Sequence, residues 1–368
     1  MANAYVDLTA QLRKLEQRLL AAAGELAVFL VYDRPERIHE RPGLERVFFA
    51  QRCVSDTQLE QMVDAFRSVG AYVELFEGEQ PFVEALANGR LLGLDRSIKV
   101  AYNGIEGGIA PGGFRPGRKT LLPAITDSYG VVCSNSNAYG CAIGRHKFHY
   151  LTVLQSLGLN APQTWHFRGN GGWAAGRKPE AGIKVIAKST YESWSVGVTE
   201  DSVFHYDESS DQRIEEIAQR IGQPVTVQQF ITGTEVCVPV LTVPDPVVTP
   251  PVRATMAKAP NDGDAVMTID DNLSEGGVSH EPLAAATEVI EQMQRDALAA
   301  FDILQLDAFG RIDFRLDRDD RAWLFDVGVS PGVSTKSSAF KSMSSLGFSH
   351  PEFLRTVVAA TLVSEDLI

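Results

Sequence analysis

Residues 310–328 read GRIDFRLDRDDRAWLFDVG, and this stretch decides how the C-terminal part of the chain folds. Polar and apolar residues alternate on both sides of an acidic centre, which is typical of two β-strands joined by a turn. Successive side chains of a strand point to opposite faces, so the polar residues of the first strand share one face. They are Arg311, Asp313 and Arg315. The same alternation puts Leu324, Asp326 and Gly328 on one face of the second strand.

The acidic centre sets the register of this hairpin. Asp tolerates the positive φ angles of tight turns, so we predict a two-residue loop at Asp319-Asp320. With that loop Asp313 lies opposite Asp326, and opposed Cβ atoms in an antiparallel pair are about 5 Å apart. Carboxylates that close repel each other, and a divalent cation with oxygen ligands relieves the repulsion, so the register predicts a Mg²⁺ site. The alternative is a surface hairpin whose acids are neutralised by the neighbouring arginines.

A second candidate segment, KSTYESWSVGV at 188–198, follows an apolar strand that begins at Ile183. Its small hydroxyl residues and glycine predict a strand-turn-strand loop whose N–H groups can close over phosphate oxygens. Lys188 would add a point charge to the same anion. Serine and glycine are also ordinary turn residues, so a hairpin that binds no ligand is the alternative.

A third stretch, Gly104 to Gly117, has six glycines in fourteen residues and follows an apolar strand. Glycine lets the backbone approach a ligand closely, so this stretch is a candidate binding loop. No G-x-G-x-x-G spacing occurs in it, which disfavours a dinucleotide site. The G-x-x-x-x-G-K-[ST] pattern is absent from the whole chain, which excludes a P-loop.

The periodicity of the N-terminal part predicts an α/β unit over residues 1 to about 135. Leucines at helical spacing open the chain, and short apolar runs at 27–32, 71–76 and 97–102 predict buried strands between helices. Strands that alternate with helices indicate a parallel sheet covered on both faces. Farther along we predict one helix over 137–157, strands at 183–189 and 195–198, a polar loop over 253–280 and a helix over 281–306.

The chain has 368 residues and a formal net charge of −13. This length predicts two or three domains, and the charge disfavours nucleic acid as a partner because phosphate contacts need a cationic surface. The four cysteines form no C-x-x-C pair and the seven histidines no H-E-x-x-H pattern, so no zinc site is predicted. Neither a signal peptide nor an apolar membrane span is found, and we expect a cytoplasmic protein without a membrane partner.

Five blocks in this order resemble the D-alanine–D-alanine ligase-like branch of the ATP-grasp superfamily. They are AYGCAIGRHKFHYLTVLQSLGLNAP at 138–162, IKVIAKSTYESWSVGV at 183–198, VTVQQFITGTEVCVPVL at 225–241, GRIDFRLD at 310–317 and WLFDVGVSPGVSTKSS at 323–338. The resemblance covers roughly residues 95–360. It implies an α/β (α+β) fold, in which an N-terminal pre-ATP-grasp domain with a parallel sheet precedes an ATP-grasp fold of two parts. The implied domains are 1–135, 136–228 and 229–368.

The resemblance also implies a nucleotide site. Lys147 and Lys188 would bind the phosphates of ATP. A lid over these phosphates would include Ser193, Ser195 and Gly197. The adenine would be lined by Gln228, Gln229, Phe230 and Ile231, and the ribose would be bound by Glu235.

The remaining implied roles concern the reaction. Asp313 and Asp326 would hold Mg²⁺, or Mn²⁺ in its place. Arg311 would stabilise the acyl phosphate and the tetrahedral intermediate, and Ser195 is assigned with it to catalysis. The acceptor substrate would lie beside Gly332 and Ser337.

The implied reaction has two steps. A carboxylate attacks the γ-phosphate of ATP to give an acyl phosphate, and an amine then displaces phosphate to form an amide. Positioning and charge neutralisation suffice for this chemistry, so lysine, arginine and Mg²⁺ can support it without a protein nucleophile. The substrates would be a small carboxylate and a small amine, with amino acids expected, and related ligases are often homodimers.

Departures from the family's motifs bear on the substrates. Asp326 replaces the family's usual metal-binding Glu, and Gly328 replaces its usual Asn. Trp194 replaces a serine of the lid, and Gln228 replaces the Glu on the adenine side. The N-terminal part also lacks the family's Glu-x-x-x-Ser signature for a first D-alanine, and 34–53 reads RPERIHERPGLERVFFAQRC. We therefore expect a ligase that forms a dipeptide or related amide from substrates other than two D-alanines. Two alternatives stay open: a nucleotide-binding module without catalysis, and a ligase whose nucleophile is an alcohol or a thiol.

Overall fold

The computed structural model describes residues 5–34, 36, 53–105, 116–170, 172–259 and 263–368. Two segments singled out in the sequence lie mostly outside these residues. They are the candidate binding loop at 104–117 and the segment 34–53, whose missing signature bears on the first substrate.

The N-terminal part is a four-stranded parallel sheet with helices on both faces, as predicted. Its strands are β1 (Leu26–Tyr32), β2 (Tyr72–Glu77), β3 (Ile98–Gly104) and β4 (Val132–Cys133), in the order β2-β1-β3-β4. Its helices are α1 (Val6–Ala22), α2 (Asp56–Arg67), α3 (Glu79–Ala87) and α4 (Leu121–Ser128). Alternate residues of β1 pack against α1 and α2 on one face and against α3 and α4 on the other. The strand is therefore buried along its whole length.

The middle part contains an antiparallel sheet in the order β5-β8-β6-β7. Its strands are β5 (Thr164–Phe167), β6 (Lys184–Ser189), β7 (Val203–His205) and β8 (Val225–Gln229). The helices of this part are α5 (Ala138–Gly144), α6 (Lys147–Ser156) and α7 (Ser210–Ile221). The predicted strand at 195–198 is wrong. Trp194, Ser195 and Gly197 have φ angles of +61°, +56° and +79°, which no β-strand contains.

The predicted single helix over 137–157 is also wrong, because the chain breaks it between α5 and α6. His146 has φ −117° and ψ 89°, outside the helical region, and its ring nitrogen accepts a hydrogen bond from the N–H of His149. His146 therefore caps a new helix whose first residue is Lys147. The break places the Lys147 side chain at a helix start rather than on the flank of a long helix.

The C-terminal part contains a six-stranded sheet in the order β12-β11-β9-β13-β14, with β10 paired to β9. Its strands are β9 (Thr234–Val243), β10 (Asp245–Val248), β11 (Val252–Met256), β12 (Val278–Pro282), β13 (Phe309–Leu316) and β14 (Ala322–Gly328). Its helices are α8 (Ile269–Leu273), α9 (Thr287–Ile303), α10 (Ser338–Ser345) and α11 (His350–Ser364). The predicted polar loop at 253–280 instead contains β11, α8 and the start of β12. Because 278–282 pair with β11, α9 begins at Thr287 rather than at 281.

The β13–β14 hairpin has the predicted pairing of Asp313 with Asp326, but its turn differs from the prediction. The N–H of Asp317 donates to the carbonyl of Arg321 at 3.0 Å, so the loop has three residues, 318–320, instead of two. Asp320 takes the left-handed conformation in this loop, with φ +57°. A loop one residue longer shifts the register of the strands next to it by one residue.

A β-bulge restores the register at the acidic pair. Phe314 pairs with Leu324, and Phe325 is the extra residue between Leu324 and Asp326. The longer turn places Leu324 beside Phe314 in the core, where both are fully buried, and the bulge then returns Asp326 to the opposite face. The prediction that Leu324 shares the face of Asp326 is therefore wrong, although the acidic pair itself is in the predicted place.

The parallel sheet lies within 1–135 and the six-stranded sheet within 229–368, whereas β8 of the middle sheet ends at Gln229, one residue beyond the predicted boundary at 228. The division into three domains stays a prediction. The helix α11 packs against α1 and α2, where Arg355 pairs with Glu16 at 2.6 Å, and so ties the C-terminus to the first sheet. None of the helices in the described ranges is long and apolar enough to cross a membrane.

Candidate active site

A cavity of about 730 Å³ is bounded by strands of both antiparallel sheets. All the site residues predicted from the sequence line it except Gly197. They are Lys147, Lys188, Ser193, Ser195, Gln228, Gln229, Phe230, Ile231, Glu235, Arg311, Asp313, Asp326, Gly332 and Ser337. Residues from five separate sequence blocks thus converge on one space, and their individual roles stay predictions.

Asp313 and Asp326 face each other on β13 and β14, and each is balanced by different cations. Arg311 donates to both carboxylate oxygens of Asp313, at 2.7 and 2.6 Å. Burial raises the pKa of the Asp313 carboxyl, and the Arg311 charge acts against that rise. The hairpin is not a surface feature, because Asp313 is only 6% exposed. The alternative of a surface hairpin is therefore wrong in its location, although Arg311 does neutralise Asp313 as that alternative expects.

Asp326 is held by a hydroxyl and by lysines. Its Oδ1 atom accepts a hydrogen bond from the Tyr150 hydroxyl and lies 3.3 Å from Nζ of Lys147. Burial acts to raise the pKa of this carboxyl, but the charges of Lys147 and Lys188 outweigh it and lower the pKa to about 2. Asp326 is therefore ionised throughout the physiological range and can act as an oxygen ligand.

This donor set fits one hard divalent cation. Each carboxylate oxygen has two lone pairs, so Asp313 keeps acceptor capacity while it is paired with Arg311. Mg²⁺ typically takes one or two carboxylates and completes its shell with water and substrate phosphates. Within the described ranges, no group of three or more His, Cys, Asp or Glu side chains could hold a metal ion unaided. The stacked rings of His146 and His149, 3.4 Å apart, form no such group either.

The two predicted phosphate-binding lysines flank Asp326. Lys147, at the start of α6, donates to the carbonyl of Glu192 at 2.6 Å, and Lys188, near the end of β6, donates to the carbonyl of Phe325 at 3.4 Å. Both side chains are buried. Burial is the main cause that lowers the pKa of Lys188 to about 8. The charges of Asp326 and Glu235 act to raise this pKa, and those of Lys147 and Arg315 act to lower it further. Because both ammonium groups are removed from bulk water, the two lysines can contact an anion directly.

The predicted lid is a loop that carries three left-handed residues, Trp194, Ser195 and Gly197. Ser193 accepts a hydrogen bond from Arg145 at 3.1 Å, which anchors the loop to the segment between α5 and α6. Gly197 faces away from the cavity. A Cβ atom there would lie 2.5 Å from Cγ2 of Ile221, so glycine lets the loop lie against α7.

The predicted nucleotide-base side of the cavity is formed by β8 and the turn after it. Gln228 donates to the carbonyl of Phe325 at 3.3 Å. The Phe230 ring lies between two cations, with Nζ of Lys184 4.8 Å and the guanidinium of Arg315 4.6 Å from its centroid. Arg315 pairs with Glu235 at 2.8 Å rather than with either acid of the hairpin. Glu235 is thereby fixed in the wall of the cavity.

Sequence reasoning missed two features of the site. Tyr150 follows Lys147 by three residues, so the two share a helix face, and this spacing could have identified it. Glu192 accepts two hydrogen bonds from Arg118 at 2.5 Å and lies 3.7 Å from Arg145. These charges are far apart in the sequence, so no local pattern predicts that they meet.

The family comparison is decisive. The model described as "D-ala D-ala ligase C-terminus" matches residues 153–359, more than half of the chain. This chain belongs to the D-alanine–D-alanine ligase family. As a member of that family it is an ATP-dependent carboxylate–amine ligase of the ATP-grasp type. The resemblance inferred from the five blocks is confirmed.

Curated relatives and solved structures agree with this assignment. The D-alanine–D-alanine ligase of Bordetella petrii is 26% identical over 313 residues, which are 84% of this chain and 88% of that protein. The D-alanine–D-alanine ligase B of Xanthomonas campestris is 26% identical over 341 residues, 89% of this chain and 98% of that protein. The structure of the Bacillus anthracis D-alanine–D-alanine ligase complexed with ATP has a TM-score of 0.64 at 14% identity, and the match covers 92% of this chain and 99% of that one. The likeness confirms the predicted fold.

Proposed function

We propose that this ligase joins a carboxylate and an amine other than two D-alanines, through an acyl phosphate, to give a dipeptide or related amide. The observation that carries the proposal is the opposed pair Asp313 and Asp326, which line one cavity together with Lys147, Lys188 and Arg311. Identity near 26% to D-alanine–D-alanine ligases leaves room for different substrates within the same chemistry.

In the first step the residues bring ATP and a carboxylate together. Lys147 and Lys188 hold the phosphates from the side of β6 and α6, and the loop that carries Ser193 and Ser195 covers them. Asp313 and Asp326 would hold Mg²⁺ or Mn²⁺, which would neutralise phosphate charge when bound. The carboxylate oxygen attacks the γ-phosphorus, the bond to the ADP oxygen breaks, and ADP leaves.

In the second step an amine attacks the carbonyl carbon of the acyl phosphate, the bond from that carbon to the phosphate oxygen breaks, and phosphate leaves with the proton that the amine gives up. The Arg311 guanidinium is fixed by Asp313 and by a 3.3 Å hydrogen bond to the Ser338 hydroxyl at the start of α10. A cation held in this way can stabilise developing negative charge without reorganisation. We place the acceptor beside Gly332 and Ser337, which line the same cavity.

Trp194 supports a first substrate other than D-alanine. It occupies a lid position where the family usually has a serine, and it is among the residues that line the cavity, with 45% of its surface exposed. An indole is far larger than a serine hydroxymethyl group and cannot replace the hydrogen bonds of a hydroxyl.

We also propose the three-domain division and a homodimer. Limited proteolysis tests the domain division, and light scattering tests the homodimer.

The test is release of ADP and phosphate with Mg²⁺ and a panel of amino-acid pairs and simple carboxylates, including two D-alanines. We expect turnover with at least one pair and an amide mass in the product. Asp313→Asn should abolish turnover in a folded protein, whereas Asp319→Asn, in the exposed turn of the same hairpin, should retain it. An ester or thioester product would transfer the proposal to an alcohol or thiol nucleophile. Folded wild-type protein that binds an ATP analogue but turns over no pair would favour a module without catalysis.

A further inference from the structure

A histidine without a role in the proposed reaction lies in the wall of the main cavity, the one of about 730 Å³ described above. His280 belongs to β12, at the edge of the six-stranded sheet. It pairs with Ala254 of β11, which in turn pairs with Glu235 of β9. All three residues line the cavity, so they share the face of the sheet that bounds it. Because the Ala254 side chain is a single methyl group, it leaves space on this face between Glu235 and His280.

The His280 ring has a nitrogen that no described residue satisfies. Its Nδ1 atom is buried and has no hydrogen-bond partner among the described residues. Burial and the charge of Arg311 lower the pKa of the ring to about 4, so the ring is neutral in the physiological range. A backbone hydrogen bond with Lys336 acts to raise this pKa, so the ring donates there. A neutral imidazole has one N–H group, and Nδ1 is therefore the nitrogen with the free lone pair.

The charges around the ring restrict the group that can donate to Nδ1. Arg311 and Lys341 both act to lower the pKa of His280, and Glu235 acts to raise it. The two cations disfavour a further positive charge at the ring, so an ammonium group is a poor partner. A neutral O–H or N–H group satisfies a buried acceptor without adding charge.

His280 lies on the acceptor side of the cavity. Its ring interacts with the backbone of Lys336, the residue before Ser337. Two strands separate β12 from β13, so the backbones of His280 and Asp313 are about 14 Å or more apart. This span favours a second group of the acceptor, rather than the amine that reacts beside Asp313, as the partner of His280.

We propose that His280 determines acceptor specificity: its Nδ1 atom accepts a hydrogen bond from a neutral O–H or N–H group that the acceptor carries in addition to its reacting amine. The inference rests on the proposed function and names its acceptor class, an amine with a hydroxyl or an amide group. This second group is not consumed. The amine nitrogen forms the bond to the acyl carbon, phosphate leaves with the proton that the amine gives up, and the hydroxyl or amide stays unchanged in the product.

The experiment compares acceptors that differ in the second donor. ADP release is measured with one carboxylate that supports turnover and with matched acceptors, the amino acids as both enantiomers. The hydroxyl pairs are 2-aminoethanol with propylamine and serine with 2-aminobutyrate, the amide pair is asparagine with leucine, and the charged pair is 2,3-diaminopropionate with 2-aminobutyrate. The hydroxyl and amide pairs separate the two sources of the same chemistry.

We expect kcat/KM for a hydroxyl or amide acceptor to exceed that of its apolar partner by about 10-fold or more, because the apolar partner leaves a buried acceptor unpaired. Equal values within every hydroxyl and amide pair would overturn the inference. A preference for 2,3-diaminopropionate alone would also overturn it, because the partner would then be a cation.

Variants assign the preference to the ring nitrogen. His280→Phe keeps a planar ring and removes both nitrogens, so the ratio of polar to apolar kcat/KM should fall to about one. His280→Asn keeps an acceptor close to the position of Nδ1 and should retain part of the ratio. His205→Phe, at an exposed histidine on β7, is the matched control and should leave the ratio unchanged. A ratio unaffected in His280→Phe would contradict the proposal, since a purely structural role lowers both rates equally.

The two proposals fail in different ways. Turnover with the same ratio in wild type and His280→Phe overturns the role of His280 and leaves the ligase intact. If no acceptor supports turnover, the proposed function fails, and calorimetry with serine and 2-aminobutyrate on protein loaded with a non-hydrolysable ATP analogue decides the rest. Serine binding that His280→Phe weakens would then support the site. Equal binding of the two amino acids, or binding of neither, would overturn it.

Discussion

Raising the pH from 7 to 9 should weaken ATP binding by discharging Lys188. Burial holds the pKa of this lysine at about 8, below its ordinary value. Its charged fraction therefore falls from roughly nine-tenths at pH 7 to about one-tenth at pH 9. If only the ammonium form binds the phosphates, kcat/KM for ATP falls by about 10-fold over this interval. The sign follows from the lysine, because its charge is present below the pKa and is lost as the pH rises.

The assay is kcat/KM for ATP at saturating co-substrates, measured at closely spaced pH values, since this quantity reports ionisations of the free enzyme. The affinity for a non-hydrolysable analogue at the same pH values separates binding from chemistry. Lys188→Arg is the matched variant, because a guanidinium stays protonated over the whole range and should flatten the profile. A flat wild-type profile between pH 7 and 9, or an equal fall in Lys188→Arg, would refute the reasoning.

Three further predictions concern the lid, its buried charge and the acidic pair. Gly197→Ala should lower the melting temperature more than Gly222→Ala. Both glycines have a positive φ, but only a Cβ atom at position 197 would clash with a side chain, that of Ile221. Equal losses of melting temperature in the two variants would contradict this prediction. Glu192→Gln should lower the free energy of unfolding by about 3 kcal/mol, because Arg118 and Arg145 lose the carboxylate that they share. A urea titration that finds a loss under about 1 kcal/mol would contradict this prediction. Tyr150→Phe removes the hydroxyl that orients Asp326, so the Mg²⁺ concentration for half-maximal ADP release should rise by about 10-fold; an unchanged Mg²⁺ requirement would count against it.

The β13–β14 hairpin shows which structural features the local sequence pattern predicts and which it misses. Period-2 alternation correctly predicts that Asp313 and Asp326 face each other. The prediction assumes a two-residue turn, whereas the chain has a three-residue turn and a bulge at Phe325 that offset each other. A bulge depends on how the strand packs against its neighbours, so residue alternation does not reveal it. For this reason the position of Leu324 was predicted wrongly.

The break before Lys147 lies beyond sequence reasoning for a different reason. Helical periodicity runs through 137–157, and only the backbone of His146 and its bond to His149 show a new helix start. The meeting of Arg118 with Glu192 depends on the packing of segments that are distant in sequence. Family motifs predicted most residues of the main cavity because each motif contributes a compact block.

The central claim is that Asp313 and Asp326 share one divalent cation with the phosphates of the nucleotide. Mn²⁺ binding tests it most directly, by relaxation of water protons in the presence of a non-hydrolysable ATP analogue and without any other substrate. Wild type and Asp319→Asn should bind Mn²⁺ with equal affinity, and Asp326→Asn should bind it at least about 100-fold more weakly. Equal Mn²⁺ affinity in folded wild type, Asp313→Asn and Asp326→Asn would contradict the account.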